Sequence, residues 1–235
     1  QNAELAEAEN MRRDFSSNVS HEMKTPLQVI SGYAELMKND MVQPADRQKF
    51  AALIYDEAQA MRSLINDVLT LSKLDETAFE SEGAAPVDLY DVAQRVAGRL
   101  ASFADGQGVG VRIEGASARI AGSETLAEEM LYNLIENGIR YNHEGGSVVM
   151  RVRADAAAGR ATVTVSDTGP GIPEELHDKV FERFFRVDKS RSKETGGTGL
   201  GLAIVKHAVL YHNGTIEVES EEGQGTTFVL RLPKV

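Results

Sequence analysis

Two domains are predicted: an all-α helical hairpin that pairs with a second copy into a four-helix bundle, then an α/β sandwich with helices over one sheet. Three observations carry this. Residues 1–76 hold a single glycine, Gly32, and two long amphipathic stretches. Residues 77–86 turn to small, acidic and helix-breaking residues, Thr77-Ala78-Phe79-Glu80-Ser81-Glu82-Gly83-Ala84-Ala85-Pro86. Residues 87–235 then alternate strand-like and helical patterns. The expected division is 1–76, a linker at 77–86, and 87–235.

The elements follow in order. The first helix is expected over about 4–39 and the second over about 45–74, with Asn39-Asp40-Met41-Val42-Gln43-Pro44 as the turn between them. Two antiparallel helices cannot bury both of their apolar stripes alone, whereas two hairpins together can. A homodimer through residues 11–75 is therefore expected. Beyond the linker, a helix over 89–104 has Asp88 placed as its cap. Strand-like runs stand at 109–114, 148–153, 161–165, 215–219 and 227–232, and helical ones at 124–141, 174–184 and 200–211.

Composition narrows the function. The net charge of −11 opposes broad nucleic-acid binding, because a phosphate backbone would be repelled. The absence of cysteine removes disulfides and thiolate metal sites. No apolar run approaches the roughly 20 residues that cross a bilayer. The chain opens at Gln1 rather than Met, which reads as a piece of a longer protein whose membrane anchor lay upstream.

On a helical wheel with His21 at zero, Phe15, Val19, Met23, Pro26, Ile30, Tyr33 and Met37 fall between about 120° and 200°. His21 therefore faces away from the core stripe, beside Asp14, Ser17, Thr25 and Gln28. A lone helical histidine is ordinarily a packed or surface residue. Here the wheel excludes packing, and the neighbours suggest chemistry. Glu22 can accept the imidazole N–H, leaving the other nitrogen as a nucleophile. Thr25, one turn on, can orient a water towards a phosphoryl group on His21. Pro26 removes a backbone N–H and is expected to bend the helix just beyond the acceptor.

On the helix around Asn137, residues Asn133, Asn137, Arg140 and Tyr141 share an arc of about 100°, while Leu131, Ile135 and Ile139 lie opposite. An amide carbonyl such as that of Asn137 can ligate Mg²⁺ without adding charge beside a triphosphate. Arg140 can bind phosphate oxygens. The same pattern also suits an ordinary amphipathic helix. Asp167-Thr168-Gly169-Pro170-Gly171 closes a strand-like run; its carboxylate can accept the exocyclic amine of adenine, and Gly169 and Gly171 let a base approach the backbone. Taken alone it is a tight turn. Gly196-Gly197-Thr198-Gly199-Leu200-Gly201 leads into an apolar helix, where backbone N–H groups and the helix dipole favour anions, although a flexible loop would read the same. Between the two glycine runs, Lys189-Ser190-Arg191-Ser192-Lys193 suits either a lid over phosphates or a solvated loop.

In this order the motifs closely resemble the sensor histidine kinases of two-component signalling, over residues 11–233. Residues 21–26 match the family's H box, 133–141 its N box, 167–171 and 197–201 its two G boxes, and Phe181-Glu182-Arg183-Phe184-Phe185-Arg186 its F box. The resemblance implies a dimerisation and phosphotransfer domain joined to an ATP-binding Bergerat-type (GHKL) sandwich. It implies His21 as phosphoacceptor, Glu22 as base, Asn137 as Mg²⁺ ligand and Asp167 as adenine reader. Ile172, Arg186, Lys189, Arg191, Thr198 and Leu200 join the ATP site on the same ground, and a response regulator is the implied partner. It also implies the cytoplasmic portion of a membrane-anchored bacterial sensor. Gly138 stands where Ala is common, at a helix-propensity cost of up to about 1 kcal/mol, and Arg140 where Lys is frequent. Two other functions stay open. A gyrase-type ATPase of the same superfamily usually carries a water-activating Glu where this chain has Asn133, and lacks an H box. A phosphatase-dominant regulator or scaffold would bind nucleotide only as an effector.

Overall fold

A computed structural model of the protein describes residues 2–76, 85–155, 157–187 and 197–235. The chain divides into two compact units, Gln1–Leu69 and Thr70–Val235. In the first, helix α1 (Asn2–Lys38) runs unbroken through Pro26, and α2 (Arg47–Glu76) follows a 3-10 turn at Pro44–Asp46. The α1 C-terminus closes with Met41 N–H on the Leu36 carbonyl (3.0 Å) and Asp40 in the left-handed region at φ 52°. Asp40 also takes a 2.9 Å ion pair from Arg47, which ties the turn to the first residue of α2. Across the hairpin, Tyr33 meets Phe50 edge-on with ring centroids 5.2 Å apart.

In the second unit β1 (Pro86–Asp88) leads into α3 (Leu89–Gln107), then β2 (Gly110–Gly115), β3 (Arg119–Ala121), α4 (Glu124–Arg140), β4 (Ser147–Asp155) and β5 (Arg160–Asp167). Helix α5 (Gly201–Tyr211), β6 (Thr215–Glu221) and β7 (Gly225–Pro233) complete it. Five strands form one sheet in the order β2-β4-β5-β7-β6, with β2 parallel to β4 and the other pairs antiparallel. Asp88 caps α3 as expected, its Oδ1 accepting the Tyr90 N–H at 3.0 Å. Ser123 caps α4 through the Leu126 N–H at 3.3 Å.

Strand alternation decides which face of the sheet meets the helices. Val148, Met150 and Val152 on β4, Ala161, Val163 and Val165 on β5, and Phe228, Leu230 and Leu232 on β7 point inward. They pack in one core with Val92, Val96 and Leu100 of α3, Leu131, Leu134, Ile135 and Ile139 of α4, and Val205 and Val209 of α5. Three differences from expectation stand out. Residues 174–184 form two 3-10 turns, Glu174–Leu176 and Lys179–Phe181, rather than a helix. Glu182 ends them in extended backbone (φ −72°, ψ 147°), and Phe184 follows at φ 63°. The three-residue strands β1 and β3 pair with each other, Val87 opposite Ile120, and Pro86, expected at the end of the linker, is the first residue of β1. Residues 77–84 of that linker lie outside the described residues.

Candidate functional site

In the first unit His21 is exposed on α1, with Glu22 and Thr25 exposed beside it, while Phe15, Val19, Met23, Pro26 and Ile30 are half-buried. The periodicity of the helix thus sets His21 opposite its apolar stripe. The Thr25 hydroxyl donates back to the His21 carbonyl at 3.5 Å, the long end of hydrogen bonding. Threonine in a helix divides between two rotamers, so the same hydroxyl reaches the patch around His21 by one turn about χ1.

In the second unit the site gathers around the C-terminal end of α4. Asn137 is half-buried on its last turn, and its carbonyl takes the Tyr141 N–H at 3.0 Å. Tyr141 is 45% exposed and reaches both glycine runs: a Cβ on residue 197 would lie 2.9 Å from its hydroxyl, and one on residue 169 would lie 3.1 Å from its carbonyl oxygen. Arg140 is half-buried, paired with Glu136 at 2.7 Å and lying over Phe103 at 5.5 Å. These contacts hold the guanidinium in place at the end of α4. Asn133 is less a surface group than the wheel suggested. It is 9% exposed, gives its amide N–H to the Glu129 carbonyl at 2.8 Å, and sets its amide oxygen against Gly201 at the start of α5.

Asp167 is the last residue of β5, and its Oδ1 accepts the Gly169 N–H at 2.8 Å. Burial pushes its carboxyl above the usual range, and backbone N–H bonds from Gly169 and Thr226 oppose that shift. Gly171 follows in the turn, and the half-buried Ile172 donates its N–H to Ser220 Oγ at 2.8 Å. Gly138 has a packing reason. A Cβ there would stand 2.9 Å from Val148 Cγ2 and 3.4 Å from Asp167 Cβ, so its absence lets α4 lie close against β4 and Asp167.

The second glycine run is braced from the F box. Arg186 donates to the Gly197 carbonyl, and Phe184 N–H donates to the Gly199 carbonyl at 2.9 Å. Gly199 has φ +72° and passes so near Phe184 that a Cβ would lie 3.0 Å from its Cα. Thr198 Oγ1 accepts the N–H of the buried Leu200 at 3.2 Å. Gly201 then opens α5 without a side-chain cap, which leaves the first turn suited to an anion. Lys189 and Arg191, expected in a lid, lie outside the described residues.

The sequence did not single out two polar residues that brace α4, one at the end of the helix far from this site and one beside it. Buried His212, just past α5, bridges to α4: its Nε2 accepts the Ser123 N–H at 3.2 Å and its Nδ1 bonds the Ala208 carbonyl at 2.7 Å. Burial holds its pKa below the ordinary value. Asn142, directly after Tyr141, bonds Gly138, His143 and Ser147 around the end of α4 and Thr168 in the loop that follows Asp167. A polar residue before Glu144-Gly145-Gly146 signals a helix end, but the bond to Thr168 crosses 26 residues of chain.

Two family models match the chain: a His Kinase A (phospho-acceptor) domain over residues 11–77, and a histidine kinase-, DNA gyrase B- and HSP90-like ATPase domain over residues 122–235. The sensor-like histidine kinase SenX3 of Mycolicibacterium smegmatis is 37% identical over 233 residues, which cover 99% of this chain and 60% of that protein. The mycobacterial sensor histidine kinase MprB structure is 30% identical, covers 64% of this chain and 97% of its own, and has a TM-score of 0.56. Full-length ShkA in complex with AMPPNP is 31% identical, with a TM-score of 0.68, over 93% of this chain and 45% of its own. The chain thus spans only part of the length of these proteins, 60% of SenX3 and 45% of ShkA. With both domains matched in order and the H, N, F and G motifs all in their places, the chain belongs to the sensor histidine kinases of two-component systems.

Proposed function

We propose that the chain is an ATP-dependent protein-histidine kinase that phosphorylates its own His21 and hands the group to an aspartate of a response regulator. One observation carries the reading. An exposed histidine stands opposite the apolar stripe of its helix, and the second unit gathers Tyr141 at the end of α4 with both glycine runs. A ligand with a purine and a polyphosphate matches that second arrangement, an acceptor for an amine at Asp167 and an uncapped helix start at Gly201.

In the transfer, a neutral imidazole nitrogen of His21 attacks the γ-phosphorus. A P–N bond forms as the bond to the ADP oxygen breaks, and Glu22 takes the proton on the other ring nitrogen. Arg140 and the α5 N-terminus offset charge on the phosphates. Asn137 would hold Mg²⁺ through its amide oxygen. Such an ion would take its other ligands from phosphate and water. When bound, Mg²⁺ neutralises charge on the β- and γ-phosphates. Thr25 would serve a separate step, orienting the water that attacks the regulator's phosphoaspartate and releases inorganic phosphate. We propose further that residues 11–75 hold a homodimer and that residues 77–86 tether the catalytic domain, 87–235, to the phosphotransfer domain.

A simple ATPase fits less well. At the position of that activity's Glu, Asn133 bears an amide that is buried and bonded to Glu129. Incubation with γ-labelled ATP tests the proposal. Label on the parent is expected to be acid-labile and base-stable, and absent from His21→Gln. Base-stable label that survives His21→Gln overturns it.

A further inference from the structure

Asn142 uses its whole bonding capacity in one place. Its Nδ2 donates to the carbonyls of Gly138 (3.0 Å) and Ser147 (3.1 Å), and its Oδ1 accepts the His143 N–H (3.0 Å) and the Thr168 hydroxyl (3.1 Å). Two donors and two acceptor sites exhaust an amide. Thr168 completes the knot, its Oγ1 accepting the Ser147 N–H at 2.9 Å and its own N–H meeting the Ser147 carbonyl at 3.1 Å. These six bonds join the last turn of α4, the turn before β4, the first residue of β4 and the residue after Asp167.

The place matters because β5 ends at Asp167. Its backbone is registered against Val148 and Thr226 by the sheet, whereas Thr168 lies past the last ladder pair. On the α4 side, Gly138 lets Asp167 stand close to the helix, but nothing covalent sets that distance. The Asn142–Thr168 pair does set it.

We propose that Asn142 and Thr168 are positioning residues that fix Asp167 relative to Asn137 and so set the preference of the site for adenine over guanine. The inference rests on the nucleotide-binding reading above. A carboxylate accepts from an exocyclic amine but repels a carbonyl oxygen in the same place, so rejection of guanine depends on the carboxylate being unable to move away. Loosening the loop lets it move. Adenine then binds less well, and the penalty on guanine shrinks.

The test uses the full chain as parent, Asn142→Ala, Thr168→Val, Thr168→Ser and the double variant, with ATP and GTP affinities from calorimetric titration and a thermal melt beside each. The parent is expected to prefer ATP. Thr168→Val, nearly isosteric at an exposed position, should weaken ATP roughly fivefold to tenfold, the worth of one to two neutral hydrogen bonds. GTP should change less, so the ratio narrows. Thr168→Ser should restore it, and the double variant should be no worse than Asn142→Ala, because the two act as a unit. If the parent binds neither nucleotide, or both alike, the adenine-reading site itself fails and the clamp with it. If the parent discriminates and a folded Thr168→Val discriminates equally, or loses ATP and GTP in equal proportion, the clamp alone is overturned.

Discussion

The hairpin and the sandwich solve the burial problem in opposite ways. Among the described side chains of the first unit, only Val42 and Leu64 are buried, while Leu27 stays 52% and Tyr55 63% exposed and the α1 stripe from Phe15 to Met37 is half-covered. In the second unit Leu131, Ile135, Ile139, Met150 and Leu230 lose all their exposure within one core shared by sheet and helices. A sheet with three helices over one face closes on itself. Two helices present stripes wider than the contact between them, so the hairpin's remaining apolar surface needs a partner, and covering each such side chain is worth about 1.5–3 kcal/mol. The unit bearing the proposed acceptor histidine is thus the one whose stability is open to association, and the unit bearing the proposed nucleotide site closes its own core.

The largest effect expected is His21→Gln, which should abolish labelling from γ-labelled ATP and leave both units' melting unchanged, because an exposed side chain opposite the stripe carries no packing. A shifted melt would mean His21 belongs to the hairpin's contacts. Asn137→Asp comes next. Autophosphorylation should fall by about a hundredfold, as when one charge-stabilising group is lost from a transition state, with the calorimetric unfolding of the sandwich within a degree or two of the parent. Retained turnover would remove Asn137 from the metal site.

Stability tests the comparison directly. Ile135→Ala should destabilise residues 85–235 by about 3 kcal/mol in a urea titration, with a midpoint independent of protein concentration. The fragment 1–76 should instead melt at a temperature that rises with concentration and scatter light as a dimer. A monomeric hairpin, or a sandwich whose melt depends on concentration, reverses the assignment. Thr25→Ala should slow dephosphorylation of the regulator severalfold with autophosphorylation largely kept, since attack by imidazole does not use the hydroxyl; equal loss of both would point to distortion of α1. The smallest effect belongs to His212. Its pKa is held below 6.5 by burial, so as pH falls below about 6.5 the unfolded chain takes a proton that the folded one refuses. The stability of the sandwich should therefore decline on acidification through that range and level off below the folded-state value. His212→Gln, followed by chemical denaturation at several pH values, should flatten the decline.

Much of this was legible in the chain, for a physical reason that also marks the boundary. The placing of His21, the Asp88 cap, the core face of α4 and the five main strands, to within two residues at their ends, all depend on residues within a turn or a pleat of one another, and periodicity reports such neighbours. At 174–184 the pattern reads as a helix because four apolar residues among charged ones, Leu176, Val180, Phe181 and Phe184, fall at helical spacing whether or not the helix is completed. What ends the run is Glu182 in extended backbone, two residues before Phe184, whose N–H bonds the Gly199 carbonyl fifteen residues away. Strands β1 and β3 are three residues each, too short to show a period, and exist because Val87 and Ile120 pair across the length of α3.

By itself the sequence determined two amphipathic helices with a histidine on the wet side, a mixed sheet under helices, and glycine runs able to bring backbone close to a ligand. Only the tertiary structure decided that Asn133 packs on Gly201, that Gly138 is an allowance for Asp167 and no mere loss of helix propensity, that His212 holds the start of α4, and that Asn142 ties its end to Thr168. Each of those is a contact between residues far apart in the chain, where the energy lies in how closely two surfaces approach. Local pattern sets which face is apolar; the distance between faces is set only when the whole core closes.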